Sequence, residues 1–330
     1  MSVEYAVVLA IASPNHVSGL TKDRPHAMLP ALGKPMIVRV MNQLLQAGIK
    51  KFVVVLGIND GSVASYLNTH WVPNVDLDFV LKSDYESLTS TLAQIARKLN
   101  APFMMVTYNT FVQPQFVTTA LNMAENQPDS LILAGTKSTL SQTPHTAFAV
   151  IDGMAVADIV SEPPQHTETT FLIANMAVCG GHFVSFLQDA PSKIGTGSLH
   201  QNFVDILGFY VQSEEHQITL GRTAWILQVN SDPDLMLLNH QLLEDGRDAH
   251  ILSELPSSVQ VNYPVRIDPG VSIGQRAEIG PYVYLERGAS VGANAKISRS
   301  IVLERASVPA NTEVADVVIA PNKIITNQIS

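Results

Sequence analysis

Cysteine, clustered basic residues and long apolar runs are all scarce in this sequence of 330 residues. With one cysteine, Cys179, the chain cannot form an internal disulfide or a zinc cage made of cysteines. Its 20 basic residues are outnumbered by 29 acidic ones and form no cluster, which excludes a nucleic-acid or membrane partner recognised through bulk charge. The apolar run at residues 5–12 is too short to span a membrane and follows no basic residue. We therefore expect a cytoplasmic protein.

The apolar residues that are present alternate between two periods in the first 140 positions. Residues 5–12 and 52–57 are continuous apolar runs, typical of strands covered on both faces. Helical spacing recurs over residues 36–45, 88–99 and 116–124, and strands are predicted at residues 103–107 and 131–134. This alternation predicts an α/β domain with a mostly parallel sheet, whose ligands bind at the carboxyl ends of the strands.

From about residue 261 the period becomes six. The first aliphatic position of each hexad is held by Val261, Ile267, Ile273, Ile279, Leu285, Val291, Ile297 and Leu303. Four positions later come the small or branched residues Val265, Val271, Ala277, Val283, Ala289, Ala295, Ile301 and Ser307. The repeat predicts a left-handed parallel β-helix of the hexapeptide type, in which each aliphatic residue points inward and stacks on its counterpart one coil away.

Several short motifs share the spacing of one known family. They are Leu20-Thr21, Pro25, residues 28–30, residues 33–35, residues 47–49, residues 160–164 and the stretch from Trp225 to Leu235. On these residues the chain resembles the sugar-phosphate nucleotidylyltransferase, or nucleotide-sugar pyrophosphorylase, family over essentially its whole length. The resemblance implies a Rossmann-like nucleotidyltransferase domain at residues 1–245, a linker at 246–258 and the β-helix domain at 259–330.

The family's catalytic positions hold other residues in this chain. The glycine-rich loop that cradles phosphates corresponds to residues 12–16, where Pro14 removes a backbone donor and His16 replaces the family's arginine. His26 and Pro163 stand where the family has lysines. On the resemblance, the candidate ligand-binding residues are Leu9, Ala10, Ala12, Ser13, Asn15, Ser87 and Glu162.

The family's two magnesium-binding aspartates align with Asn109 and Gln228. Because Mg²⁺ prefers charged oxygen ligands, we expect no metal and no other cofactor at this pair. Relative to the family, these substitutions together remove three cations, both carboxylates and the glycine loop. Those are the groups that position and stabilise a phosphoryl group during its transfer.

We therefore predict a catalytically impaired member of the family that binds a nucleotide sugar or a sugar phosphate. Such a chain acts in regulation or assembly, as a homo-oligomer or with an active homologue, as non-catalytic members of the family do. The alternative is an active enzyme that forms a nucleotide sugar and pyrophosphate from a sugar 1-phosphate, with Mg²⁺ as its cofactor. A third, weaker alternative is a structural protein that assembles through its β-helix.

Overall fold

The computed structural model describes residues 3–11, 20–21, 24–71, 73–141, 147–152, 155–162, 169–194, 202–213, 217–321 and 323–326. The helices are α1 (Met36–Gln46), α2 (Gly61–His70), α3 (Leu88–Leu99), α4 (Gln115–Asn126), α5 (Gly181–Ile194), α6 (Phe203–Val211) and α7 (Asp232–Glu244), with a 3-10 helix at His26–Met28. No helix among these residues is long and apolar enough to cross a membrane.

The strands fall into an early and a late group. The early strands are β1 (Tyr5–Ala10), β2 (Pro30–Ala31), β3 (Lys34–Pro35), β4 (Lys51–Gly57), β5 (Asp76–Lys82), β6 (Phe103–Thr107), β7 (Thr110–Val112), β8 (Leu131–Thr136), β9 (Phe148–Asp152), β10 (Ala155–Val160), β11 (Thr170–Cys179), β12 (Ile218–Arg222) and β13 (Ile226–Gln228). The late strands are β14 (Gln260–Val261), β15 (Val265–Ile267), β16 (Ser272–Ile273), β17 (Glu278–Ile279), β18 (Val283–Leu285), β19 (Ser290–Val291), β20 (Lys296–Ser298), β21 (Ile301–Val302), β22 (Ser307–Val308), β23 (Glu313–Ala315), β24 (Val317–Ala320) and β25 (Lys323–Thr326).

The chain divides into two compact units, Met1–Pro14 with Ile37–Gln228 and Asn15–Met36 with Val229–Ser330. This division differs from the predicted boundaries at residues 245 and 259. Helix α7 and the segment before α1 both group with the late strands. These two elements are joined to each other because Asn239 of α7 bonds the backbone of Pro30 and Leu32.

The first unit is built on a nine-stranded sheet with the order β10-β9-β11-β6-β1-β4-β5, in which β8 joins β11 to β12. Strands β6, β1, β4 and β5 run parallel, as do β8 and β12, whereas β11 is antiparallel to its neighbours β6, β8 and β9. The continuous apolar runs form the central strands because both of their faces are buried, as at Val7, Phe103 and Leu133. The predicted α/β fold with a mostly parallel sheet is confirmed.

The late strands of the second unit form three short sheets, in which every pairing is parallel except that of β25 with β24. We name residues 260–326 the C-terminal strand stack. Gln260 pairs with Glu278 and Glu278 with Lys296, so partners lie 18 residues apart, as three hexads per coil require. This pairing is consistent with the predicted β-helix. The predicted inward residues Ile267, Ile279 and Leu285 are fully buried in its core.

The period of six is wrong for the last coil. Leu285 pairs with Val302 rather than with Leu303, because the coil there is one residue shorter. Val308 therefore points into the core, whereas Ser307, the residue four positions after Leu303 in the predicted register, is exposed. The segment Val317–Ala320 continues the stack as β24, which pairs in parallel with β21 and antiparallel with β25.

Candidate functional site

The topology of the sheet predicts a ligand-binding crevice at the carboxyl ends of β1 and β6. These two strands are parallel neighbours, and the chain leaves β1 toward β4 and β5 on one side and reaches β6 on the other. Open α/β sheets bind ligands where the direction of the connections reverses in this way. The residues at this edge are Leu9 and Ala10 at the end of β1, Thr107 at the end of β6, and Tyr108 and Asn109 directly after it.

Leu9 and Ala10 lie at this edge as predicted, and both are buried. The backbone N–H of Tyr108 donates to the carbonyl oxygen of Leu9 at 3.1 Å, which extends the β1–β6 pairing by one step. The carbonyl of Leu9 is therefore held by the protein itself. Ala12, Ser13, Asn15 and His16, the predicted loop positions, lie outside the described residues.

Asn109 and Gln228 come together in the structure although 119 positions separate them in sequence. Gln228 is the last residue of β13, and it pairs with Thr110 of β7, the residue after Asn109. The backbone N–H of Gln228 donates to the hydroxyl of Ser141 at 2.8 Å, and that hydroxyl donates to the carbonyl oxygen of Gln228 at 3.0 Å. Gln228 therefore lies in one short strand pair with β7, and Asn109 directly precedes that pair.

The donor set at this strand pair does not fit Mg²⁺. Both side chains are neutral amides, and Asn109 is buried, so no formal negative charge offsets a divalent cation. Among the described residues no group of three or more His, Cys, Asp or Glu side chains is placed to hold a metal ion. We therefore derive no step through a metal at this pair.

Ser87 is explained by the helix that it begins. It is the N-cap of α3, where its hydroxyl oxygen accepts the backbone N–H of Ser90 at 3.1 Å. The side chain is buried and also lies 3.0 Å from the hydroxyl of Ser90. Because the helix already uses this oxygen, the contact that Ser87 offers to a ligand is the positive end of α3 rather than a free hydroxyl.

The remaining predicted positions are dispersed. His26 is buried in the 3-10 helix of the second unit. Glu162 is exposed and follows β10, which lies at the opposite edge of the sheet from β5. Pro163 lies outside the described residues.

Two titratable side chains at the strand ends were not predicted from the sequence. Tyr108 is buried directly after β6, and burial, together with the negative charge of Asp60, raises the pKa of its hydroxyl. Burial also raises the pKa of Asp60, which follows β4, although the backbone N–H of Gly57 at 3.2 Å opposes the shift. No motif marks either residue, because their proximity follows from the order of the strands. Together they place a phenol and a carboxyl near the carboxyl ends of β4 and β6.

Family comparisons agree with this architecture. Residues 5–225 match the model of the family described as nucleotidyl transferase, and residues 261–329 match that of the GMPPB C-terminal domain. A crystal structure of a Bacillus anthracis protein named as a glucose-1-phosphate thymidylyltransferase, in complex with sucrose, superposes with a TM-score of 0.59 at 14% identity, covering 71% of this chain and 93% of that one.

Curated relatives match shorter stretches. UTP–glucose-1-phosphate uridylyltransferase AglF of Haloferax volcanii is 23% identical over 128 residues, 39% of this chain and 52% of the relative. The bifunctional IPC transferase and DIPP synthase of Aquifex aeolicus is 36% identical over 69 residues, 21% of this chain and 16% of the relative. Both alignments span well under two thirds of the relatives' own lengths. On the domain match over residues 5–225, the chain belongs to the nucleotidyl transferase family, among the sugar-phosphate nucleotidylyltransferases.

Proposed function

We propose that this chain binds a nucleotide sugar or a sugar phosphate at the β1–β6 crevice with little or no turnover, and acts as a regulatory or assembly subunit. The observation that carries the proposal is the pair Asn109 and Gln228. These amides flank the β7–β13 pairing at the positions that carry metal-binding aspartates in the family. Phosphoryl transfer depends on positioning and charge stabilisation, and this pair supplies no charge.

Ligand binding requires fewer charged groups than phosphoryl transfer does. Backbone groups at strand ends and at the positive end of α3 can hold a phosphate or a sugar hydroxyl without a metal. The buried hydroxyl of Tyr108 and the carboxyl of Asp60 keep polar groups near the crevice.

The competing function is an active nucleotidylyltransferase that forms a nucleotide sugar and pyrophosphate. The named activities of two relatives, a uridylyltransferase and a thymidylyltransferase, favour it. It requires Mg²⁺ to be held by amide oxygens and by the phosphates of the substrate, and histidines to replace the family's cations.

We extend the proposal to the fold of the C-terminal strand stack and to the assembly of the chain. The C-terminal strand stack is a left-handed β-helix, supported by partners 18 residues apart and by an apolar core that repeats with the hexads. The chain forms homo-oligomers or pairs with an active homologue through this stack. We keep the cytoplasm as its compartment, since the one cysteine, Cys179, is buried and free.

A thermal-shift panel with a coupled pyrophosphate assay separates the two functions. UDP-glucose, dTDP-glucose, UTP, dTTP and glucose 1-phosphate are each tested with and without Mg²⁺. A ligand that binds the native state alone raises its melting temperature by mass action. The proposal expects a shift from at least one probe, unchanged by EDTA, without pyrophosphate release. A shift that requires Mg²⁺ together with release of pyrophosphate establishes the enzyme instead, and no shift from any probe removes the binding function.

A further inference from the structure

Strand β5 (Asp76–Lys82) forms one edge of the nine-stranded sheet of the first unit. On one side it pairs in parallel with β4 over its whole length. On its other side, no strand of the part of the chain that the structure describes pairs with it. An open edge of this kind presents backbone N–H and C=O groups that can pair with another chain.

The hydrogen bonds to β4 determine which backbone groups of β5 point outward. The N–H of Asp76 donates to the carbonyl oxygen of Lys50 at 2.9 Å, so Asp76 directs its backbone groups toward β4. Because this direction alternates along a strand, the backbone groups of Leu77, Phe79 and Leu81 point away from the sheet. Their side chains share one face of the sheet, where Leu81 is 63% exposed. The open edge is therefore lined on one face by an apolar row.

The charged ends of β5 are placed symmetrically about Phe79. Asp76 and Lys82 are the first and last residues of the strand, and Phe79 is its centre. If two copies pair antiparallel about Phe79, Asp76 of each copy lies opposite Lys82 of the other, and Leu77 lies opposite Leu81. Charges at a sheet edge ordinarily oppose pairing, but opposite charges directly across from each other stabilise it. The charges of β5 therefore favour a second copy of the same strand.

Neighbouring registers of the same pairing place like charges together. A pairing centred on Asp78 puts the two copies of this carboxylate opposite each other. A pairing centred on Val80 puts Asp76 opposite Asp84 and leaves part of β5 without a strand partner. The register centred on Phe79 pairs all seven residues of the strand and opposes no two like charges.

We propose that β5 is a homodimer interface, at which two copies of this chain pair antiparallel about Phe79 and join their nine-stranded sheets into one. Each outward residue exchanges two backbone hydrogen bonds with the residue opposite it, and an ion pair between Asp76 and Lys82 closes each end. The interface lies in the first unit and does not involve the C-terminal strand stack. Because a single strand on each side is a small interface, the pairing is reversible, and salt weakens it.

Pairs of introduced cysteines test the register in the full-length chain. Asp76→Cys with Lys82→Cys places thiols opposite each other at both ends of the interface, where Cα atoms about 4.5 Å apart permit a disulfide. Asp78→Cys with Lys82→Cys is the matched control, because only the register centred on Val80 brings its thiols together. Within one chain both pairs are more than about 10 Å apart and cannot bridge. The native Cys179 is buried.

Under mild oxidation we expect the first variant to form a covalent dimer about tenfold faster than the control, because its thiols alone lie within bonding distance. Equal rates, or a faster control, overturn the proposed register. The rate should be unchanged when Ile324→Lys is added, since that charge lies on β25. A rate that falls with Ile324→Lys assigns the contact to the C-terminal strand stack and overturns the inference.

Charge reversal tests the ion pairs by sedimentation of the full-length chain, with Ile324→Lys present so that assembly through β25 is suppressed. Asp76→Lys and Lys82→Asp each place like charges opposite each other at both ends, and each should weaken association by about tenfold. The double variant restores opposite charges in exchanged positions and should associate as the unreversed chain does. Glu125→Lys on the exposed surface of α4 makes the same change of charge and should have no effect. Single variants that associate normally, or a double variant that does not recover, overturn the inference.

Discussion

Asn109 lies directly before β7, and Gln228 is the last residue of β13. Asn109 is buried, and two titratable groups that follow β4 and β6, Asp60 and Tyr108, both have a raised pKa because of burial. A raised pKa favours the neutral form of each acid. Burial at these strand ends therefore disfavours a charge on Tyr108 and on Asp60.

The first prediction restores the lost charge. We expect Asn109→Asp with Gln228→Asp to bind Mn²⁺, seen as a loss of the free-ion signal in electron paramagnetic resonance, and wild type to leave that signal unchanged. In the absence of metal the double variant is less stable, because two carboxylates then repel each other. The control, Gln115→Asp with Asn122→Asp on the exposed surface of α4, adds the same charge and binds no ion.

The same prediction is tested by an assay of pyrophosphate release. Losing one charge-stabilising group costs about 2–4 kcal/mol of barrier, so wild-type turnover should fall below detection with every nucleotide and sugar 1-phosphate tested. Mn²⁺ bound by wild type, or a wild-type turnover near one per second, contradicts the assignment of this pair as non-catalytic.

The second prediction concerns two acids of the strand stack whose pKa values shift in opposite directions. Burial raises the pKa of Glu286 above its ordinary 4.5, although Arg24 opposes the shift. The hydrogen bonds of Arg299 lower the pKa of Asp316 below its ordinary 3.8. A carboxyl whose pKa is raised on folding stabilises the fold at pH values below its unfolded pKa, and this stability is lost as pH rises through its folded pKa. A carboxyl whose pKa is lowered on folding stabilises the fold at pH values above its unfolded pKa, and this stability is lost as pH falls through its folded pKa.

Urea unfolding of Glu286→Gln, Asp316→Asn and wild type between about pH 3 and pH 8 measures both effects. We expect Glu286→Gln to gain stability relative to wild type as pH rises above 4.5. Asp316→Asn should instead lose stability relative to wild type as pH rises through 3.8, with a flat difference above it. Differences of the same sign for the two variants would contradict the assigned environments.

At the scale of elements, the sequence predicted what depends on neighbours along the chain. Helix α3 has the predicted bounds, because its apolar spacing is regular and Ser87 caps it. The shortened last coil was missed because Val302 and Leu303 are both aliphatic, so the pattern fits either register. The approach of Asn109 to Gln228 was found only through the resemblance. Nothing local predicts Tyr108 beside Asp60, or Arg24 on Glu286, because those pairs are created by strand order and coil stacking.

The third prediction tests the packing of the β2–β3 hairpin on β15. Gly33 has a φ of +81°, and a Cβ there would overlap the guanidinium of Arg266. Gly270 is the matched control, with a φ of +77° and open space around its Cβ position. Both alanine variants suffer the strain of a left-handed backbone, but only Gly33→Ala must also displace a bonded side chain. We expect its free energy of unfolding, measured in urea, to fall by roughly 1–3 kcal/mol more than that of Gly270→Ala. Equal losses would mean that Arg266 does not pack on the hairpin.

In the whole molecule, several strands of the C-terminal strand stack lie at open sheet edges. Among the described residues, β14 and β16 begin sheets of the strand stack, and β22, β23 and β25 end them. Backbone groups at such edges are free to pair with another chain unless something covers them. Ile324 of β25 is 59% exposed, so the last edge presents an apolar side chain beside its backbone.

The fourth prediction is that the full-length chain sediments as an oligomer at micromolar concentration, with β25 contributing to the interface. Truncation after Pro321 removes β25 and leaves β24 in place, so the stack should stay folded while the mass in solution falls to a smaller species. Truncation after Glu313 also removes Val317, Val318 and Ile319, which are buried, and should cause aggregation because the last coil loses its apolar cover. Ile324→Lys in the full-length chain is the milder variant, since it places a charge at the edge without deleting backbone. The assembly proposal fails if the full-length chain is monomeric and the truncation after Glu313 is soluble and equally stable.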